Sequence, residues 1–312
     1  MKEEKIDFYS KTALKSYNLN ESMRYQLSVL DSLDVFTRRH SENVANITCR
    51  LCERTRANKN FTVYCTMCAY LHDIGKIFIP PSILQKPGAL TDKEYEIMKT
   101  HTTLGYKMCM EDPKLRPYAN GTKYHHESLN GSGYPDGLTR KDIPIEGQII
   151  RVADEFDAIV SKRQYKSHIG ITDTLKILIQ DAQPVPKSVA LKTMEESTKL
   201  GKLNPKYVRA LFKVVIEDIE YEISCLLDYL KYLKIQIKRL EKLNNYYYKM
   251  ETTKNEKKKD YIKATMDLYF EGGENIQNFK FVLEEYRSAY FRKTETINNL
   301  FAEIKSIKKL RV

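Results

Sequence analysis

All ten prolines of this 312-residue chain lie between Pro80 and Pro205, and beyond Gly201 the only glycines are Gly272 and Gly273. Proline removes a backbone donor and glycine opens left-handed backbone, so irregular structure is confined to the middle of the chain. The two ends are predicted to be helical, and the scarcity of Gly and Pro favours long helices over β-structure with many turns. Hydrophobic residues at 42% allow a packed core. No stretch reaches the roughly 18 apolar residues of a membrane helix, and the N-terminus lacks a signal-peptide core. A cytoplasmic protein without membrane insertion is expected. The net charge of +11 suits an anionic ligand. Yet Lys257, Lys258 and Lys259 sit between Glu256 and Asp260. Such interleaving describes a solvated surface and not a nucleic-acid-binding arm.

Leu27, Leu30, Leu33 and Phe36 form an apolar stripe at helical spacing near the start. His40, Val44 and Ile47 share the face of a following helix, and the run from Val63 to Leu71 leads into His72-Asp73. Pro80, Pro81 and Pro87 bar a regular helix over residues 80–90. Thr91 and Glu94 form a capping box that opens a helix reaching Cys109. Residues 128–147 have loop composition, and helix resumes at about Gln148. Past residue 205, Ile216, Ile219, Ile223, Leu226, Leu230, Leu233, Ile237 and Leu240 alternate at spacings of three and four. A second such seam runs from Ile276 to Ile307 behind the Gly272-Gly273 break. Two similar helices, each on the order of 50 Å, would fold back as an antiparallel hairpin or pair across a homodimer or partner. The expected organisation is all-α: a helical segment at 1–35, a domain at 36–215 and a coiled-coil-like extension at 216–312.

The six histidines are His40, His72, His101, His125, His126 and His168. Imidazoles accompanied by carboxylates suit Fe, Mn, Zn and similar borderline metals. If the helices bearing His40 and His72 pack antiparallel, both rings reach the same end of the pair. His72 and Asp73, neighbours on a helix, point about 100° apart, and a carboxylate there has two oxygens with which to bridge two metals. The pairs Cys49/Cys52 and Cys65/Cys68 have zinc-site spacing. However, Cys49 falls on roughly the opposite helical face from His40, so core-filling thiols are expected.

The runs LHDIGKIFIP (Leu71–Pro80), KPGALT (Lys86–Thr91), MKTH (Met98–His101), HHE (His125–Glu127), GSGYP (Gly131–Pro135) and VADEFDA (Val152–Ala158) occur in this order. Together they resemble the HD-GYP family, cyclic di-GMP phosphodiesterases of the HD metal-dependent phosphohydrolase superfamily, over about Thr37 to Phe212. The resemblance implies an HD-type helical catalytic domain and two divalent metals, with Fe or Mn fitting best and Zn, Ni or Co as alternatives. His40, His72, Asp73 and Asp154 would hold one metal, and Asp73, His101, His125 and His126 the other. Asp73 would bridge, and a metal-bridging hydroxide would attack the phosphodiester of cyclic di-GMP to give pGpG, GMP or both. Lys76, four residues after His72 and on the same face of an α-helix one turn on, would neutralise the phosphate, with Asp73 as the other catalytic residue. Tyr134, Arg163 and Lys166 match substrate-side elements, whereas His168 matches none. Phe36 stands where some members carry a third-metal glutamate, which points to two metals. Ser128, Asn130 and Leu203-Asn204-Pro205 also depart from the family pattern, and Pro184 and Pro186 mark an extra loop. Alternatives are hydrolysis of another cyclic dinucleotide or nucleotide, or a receptor signalling through the C-terminal helices.

Overall fold

The computed structural model describes residues 28–161, 170–186 and 199–311. The helical expectation for residues 1–27, and the sites assigned to Arg163, Lys166 and His168, lie outside them. The chain divides into two compact units, the second running from Ile216 to Lys308. The described residues are helical apart from loops and one isolated bridge between Asn130 and Thr139.

In the first unit, helix α1 spans Val35–Arg54 and α2 spans Lys59–Leu71. The Asp34 carboxylate accepts from the Phe36 and Thr37 amides at the head of α1, and the Asn58 side chain accepts from the Phe61 amide at the head of α2. Each cap satisfies amides that the first helical turn leaves without partners. Between the helices, Arg56 adopts φ +59° and reverses the chain. The start of α1 therefore faces the end of α2. Val44, Cys49, Leu51 and Cys52 of α1 are buried, as are Cys65, Cys68 and Leu71 of α2. All four of these thiols are free, and burial pushes Cys49 up to about 12, as expected of core filling.

Four shorter helices follow: α3 Pro81–Leu84, α4 Asp92–Lys99, α5 His101–Glu111 and α6 Ala119–Tyr124. The prolines do not bar α3. Pro81 occupies its first turn, where a missing N–H costs nothing. The Thr91–Glu94 capping box is present, but the helix it opens is interrupted at Thr100. Helix α7, Ile145–Ser161, begins three residues earlier than expected, directly behind Pro144, and α8 spans Ile171–Ala182. Helix α7 packs against α1, α2, α6 and α8.

Two backbone contacts set the spacing of these elements. A Cβ on Gly75 would lie 1.9 Å from the His101 carbonyl oxygen, and one on Gly121 would lie 2.3 Å from that of Cys68. Only glycine permits either approach.

The second unit comprises most of α9 (Pro205–Thr252), α10 (Glu256–Asp267) and α11 (Phe279–Ile307). Arg287 pairs with Glu241 at 2.7 Å and Lys308 with Glu220 at 3.8 Å. Residue numbers rise along one helix as they fall along the other, so the two seams face each other as an antiparallel hairpin within one chain. Leu240, Leu243, Ile262, Met266, Phe279 and Leu283 form its core. The helices are unequal: α9 has 48 residues and α11 has 29, about 72 and 44 Å. Gly272 and Gly273, at φ +55° and +84°, turn the chain between α10 and α11. No helix among the described residues is long and apolar enough to cross a membrane.

Candidate metal centre

The histidine–aspartate pair stands at the end of a helix and not within one. His72 caps α2, and Asp73, at φ −99° and ψ 6°, leads into a short 3₁₀ helix over Ile74–Phe78. At three residues per turn, the side chain three positions on lies directly above. Lys76 accordingly faces Asp73, with Nζ 2.5 Å from Oδ2, and not His72 as α-helical spacing suggested. Although the helix ends at Leu71, the two side chains converge, with His72 Nε2 3.3 Å from Asp73 Oδ2.

Asp73 is buried at the centre of a ring of imidazoles. Its Oδ2 lies 3.3 Å from His72 Nε2 and 3.7 Å from His40 Nε2. Its Oδ1 lies 3.4 Å from His101 Nε2 and 3.9 Å from His125 Nε2. Asp154, from α7, places Oδ1 3.0 Å from His40 Nε2 and Oδ2 3.8 Å from His126 Nδ1. Two groups result whose donor atoms lie close enough together to share an ion: His40, His72 and Asp73, and Asp73, His101, His125 and His126. Asp73 belongs to both, with one oxygen turned to each.

The proton positions follow from the partners. His72 Nδ1 lies 2.6 Å from the Ala69 carbonyl, His101 Nδ1 2.7 Å from that of Met98 and His125 Nδ1 2.9 Å from that of Gly121. A carbonyl only accepts, so each Nδ1 carries the hydrogen and each Nε2 presents a lone pair. His101 Nε2 and His125 Nε2 then face each other 3.2 Å apart with no proton between them. His72 Nε2 and Asp73 Oδ1 are buried without a hydrogen-bond partner. Converging lone pairs of this kind are costly in a protein interior unless a cation joins them. The donor set therefore fits metal ions.

The electrostatics of His101, His125 and His126 agree. Burial, then the neighbouring histidines, holds His125 well below the ordinary imidazole range, and burial with His125 does the same for His126. Burial also lowers His101. Neutral rings are what a metal requires. Burial resists charging His40, yet hydrogen bonds to Asp154 and Asp157 outweigh it and raise that ring to about 10. Burial likewise opposes ionisation of Asp73, but Lys76 and His72 hold the carboxyl well below its usual range. Burial works against the Lys76 ammonium, and the Asp73 carboxylate overrides it.

The Tyr134 ring stacks on His126 at 4.6 Å. Phe36 is 72% exposed and offers no donor atom. Asn204 takes a capping part at the head of α9, accepting from the Lys206 amide at 3.0 Å while its amide donates to Gln148. Two neighbours of the cluster escaped sequence reasoning. Asp157 lies 2.7 Å from His40 Nδ1 and accepts from Asn43 at 3.1 Å. Arg151 Nη1 lies 3.0 Å from His126 Nδ1, with Glu155 as its ion-pair partner at 3.1 Å. Both stand three residues from Asp154, on the same face of α7, and that spacing was the available signal.

A family model described as "HD domain" matches residues 25–185, just over half of the chain. A "Cyclic di-GMP phosphodiesterase" of Thermotoga maritima is 38% identical over 218 residues, covering 67% of this chain and 54% of the relative. The "Cyclic di-GMP phosphodiesterase response regulator RpfG" of Xanthomonas campestris pv. campestris is 48% identical over 102 residues, 32% of this chain and 27% of the relative. The "3'3'-cGAMP-specific phosphodiesterase 2" of Vibrio cholerae serotype O1 is 44% identical over 98 residues, 31% of this chain and 19% of the relative. The chain thus spans about half the length of the first of these relatives and less of the others.

Proposed function

This chain belongs to the HD domain family, and from that premise we propose that it is a metal-dependent phosphodiesterase that hydrolyses cyclic di-GMP to pGpG, GMP or both. The observation that carries the reading is the sharing of Asp73 between two donor groups, one oxygen toward each. In the proposed site His40, His72, Asp73 and Asp154 hold one divalent metal, and Asp73, His101, His125 and His126 the other. Histidine and carboxylate donors favour Fe or Mn. When bound, the two ions supply an activated water and neutralise phosphoryl oxygens.

The chain's own residues then act in distinct ways. The carbonyls of Ala69, Met98 and Gly121 fix three imidazoles with Nε2 directed inward. Asp157 turns His40 toward Asp154. Lys76 keeps its proton beside Asp73 and stabilises the negative charge that grows on the phosphate. Tyr134 covers one face of His126 and excludes water there. Arg163 and Lys166 are assigned to the dinucleotide by motif alone. The free buried thiols fit a reducing compartment such as the cytoplasm.

A second reading, 3'3'-cGAMP as the preferred substrate, is favoured by the 44% identity to a phosphodiesterase named for that specificity. Turnover of both dinucleotides in competition, by protein purified without chelators and assayed for metal, separates the two. Hydrolysis is expected to vanish in Asp73→Ala together with bound metal. Unchanged turnover in that variant would overturn the proposal.

A further inference from the structure

Helix α4 is unusual among the elements around the site. It is eight residues long and buries none of them. It is nevertheless firmly held. Its head carries the Thr91–Glu94 capping box, Lys86 Nζ reaches Glu94 at 2.5 Å, and at its other end the Met98 carbonyl orients His101. A helix fixed so carefully, yet burying no side chain, has a role other than filling a core.

Its outward face carries Tyr95, which is 48% exposed. The ring is not isolated. Its centroid lies 6.4 Å from that of Tyr134 at 79°, and Tyr134 in turn stacks on His126 at 4.6 Å and meets His101 edge-on at 6.5 Å. Lys99, one turn after Tyr95, sets Nζ 5.4 Å from the Tyr95 ring and 5.8 Å from the Tyr134 ring. Its ammonium is tethered to Glu96 at 2.5 Å. A line of rings therefore leads from the imidazole cluster to solvent, with a cation beside its outer end. The outermost ring is two ring-to-ring contacts removed from His126.

We propose that Tyr95, flanked by Lys99, is a nucleobase platform: a purine stacks on its exposed ring while the phosphate attached to that nucleoside lies at the imidazole cluster. Every base has a π-face, and stacking on an aromatic side chain contributes about 1–3 kcal/mol per base, roughly 5- to 150-fold in affinity. Lys99 adds attraction for the base carbonyls and the phosphate. The inference deepens the proposed function, since it supplies a subsite for one base of the dinucleotide. It requires only a base-bearing phosphate and so is tested apart from the identity of the substrate.

The test measures binding of GMP and of ribose 5-phosphate to the metal-loaded full chain by calorimetry, in the wild type and in Tyr95→Leu, Tyr95→Phe and Tyr95→Trp, with metal content determined in each. The wild type is expected to prefer GMP, and the preference should collapse toward unity in Tyr95→Leu, which stays apolar but loses the ring. Tyr95→Phe and Tyr95→Trp should retain it, and ribose 5-phosphate affinity and metal content should not change in any variant. In parallel, Tyr95→Leu should raise KM for cyclic di-GMP by roughly tenfold while kcat stays near the wild-type value. Equal affinity of the wild type for GMP and ribose 5-phosphate would overturn the platform, as would a preference that survives Tyr95→Leu. Failure of the wild type to hydrolyse cyclic di-GMP would overturn the substrate assignment instead, and the GMP ratio would still decide for or against Tyr95.

Discussion

The two units are built from the same element and use it for opposite purposes. In the C-terminal hairpin the interior is apolar, with Leu240, Met266 and Phe279 fully buried, and charged pairs such as Arg287–Glu241 lie at the rim. In the first unit the innermost side chains include Asp73, His72, His101 and His125, each at most 1% exposed. Burying apolar surface stabilises a fold, whereas burying a carboxylate among imidazoles costs free energy unless the group is paired. The hairpin spends its interior on cohesion. The first unit spends its interior on converging lone pairs, and surrounds them with the apolar contacts of α1, α2 and α7 that hold them there.

Damage to the two interiors should therefore have separable consequences. The largest effect is expected from Asp73→Ala, which removes the one side chain common to both donor groups. Hydrolysis should fall by about 10³-fold or more and bound metal should be lost, as elemental analysis would show, while hydrogen exchange in the hairpin is unchanged. Phe279→Ala should do the reverse. It should cost about 3–5 kcal/mol of hairpin stability in a denaturant titration and leave the metal content of the first unit as it was. Loss of metal in that variant would break the comparison. Asp157→Asn acts at a smaller scale. His40 keeps its place but loses a charged anchor, and metal affinity or turnover should fall about 10- to 100-fold.

The smallest expected effect is the response of the hairpin to acid. Burial opposes ionisation of Glu274, but the two Arg239 hydrogen bonds, both 2.6 Å, keep its carboxyl below the ordinary 4.5. A depressed folded pKa means that the pair stabilises fully above pH 4.5, and that this contribution fades as pH falls through the lowered value. Thermal melts of the hairpin should therefore decline below pH 4.5, and Glu274→Gln should be less stable at neutral pH with a flatter acid limb. An unaltered acid limb in Glu274→Gln would remove this pair from the account.

Most of the centre was legible because its donors are chemically distinctive and fall in motifs, so their order along the chain suffices to list them. The local backbone was less legible. Spacing alone cannot distinguish an α-helix at 100° per residue from a 3₁₀ helix at 120°, and over three residues that difference moved Lys76 from His72 to Asp73. Pro81 reads as a breaker unless it is known to stand at a helix start. Asp157 and Arg151 were hidden for another reason: each acts on a ring contributed by a different element, His40 or His126, and one sequence does not disclose contacts between elements. In the hairpin the seams were plain, but a heptad pattern specifies a facing helix without specifying whose. Only the turn at Gly272-Gly273 and the descending register of the ion pairs decide that both helices come from one chain.

The approach of Gly75 to the His101 carbonyl has a bearing on how such a protein can change over time. The separation between the HD turn and the head of α5 is fixed by main chain against main chain, with no side chain acting as a spacer. Substitutions in the surrounding core can alter stability, but they have no lever on that separation. A lineage carrying this contact is free to diverge in nearly everything around its centre while inheriting the ruler that spaces the donors. The cost falls on Gly75 itself, where any side chain would force the two backbones apart.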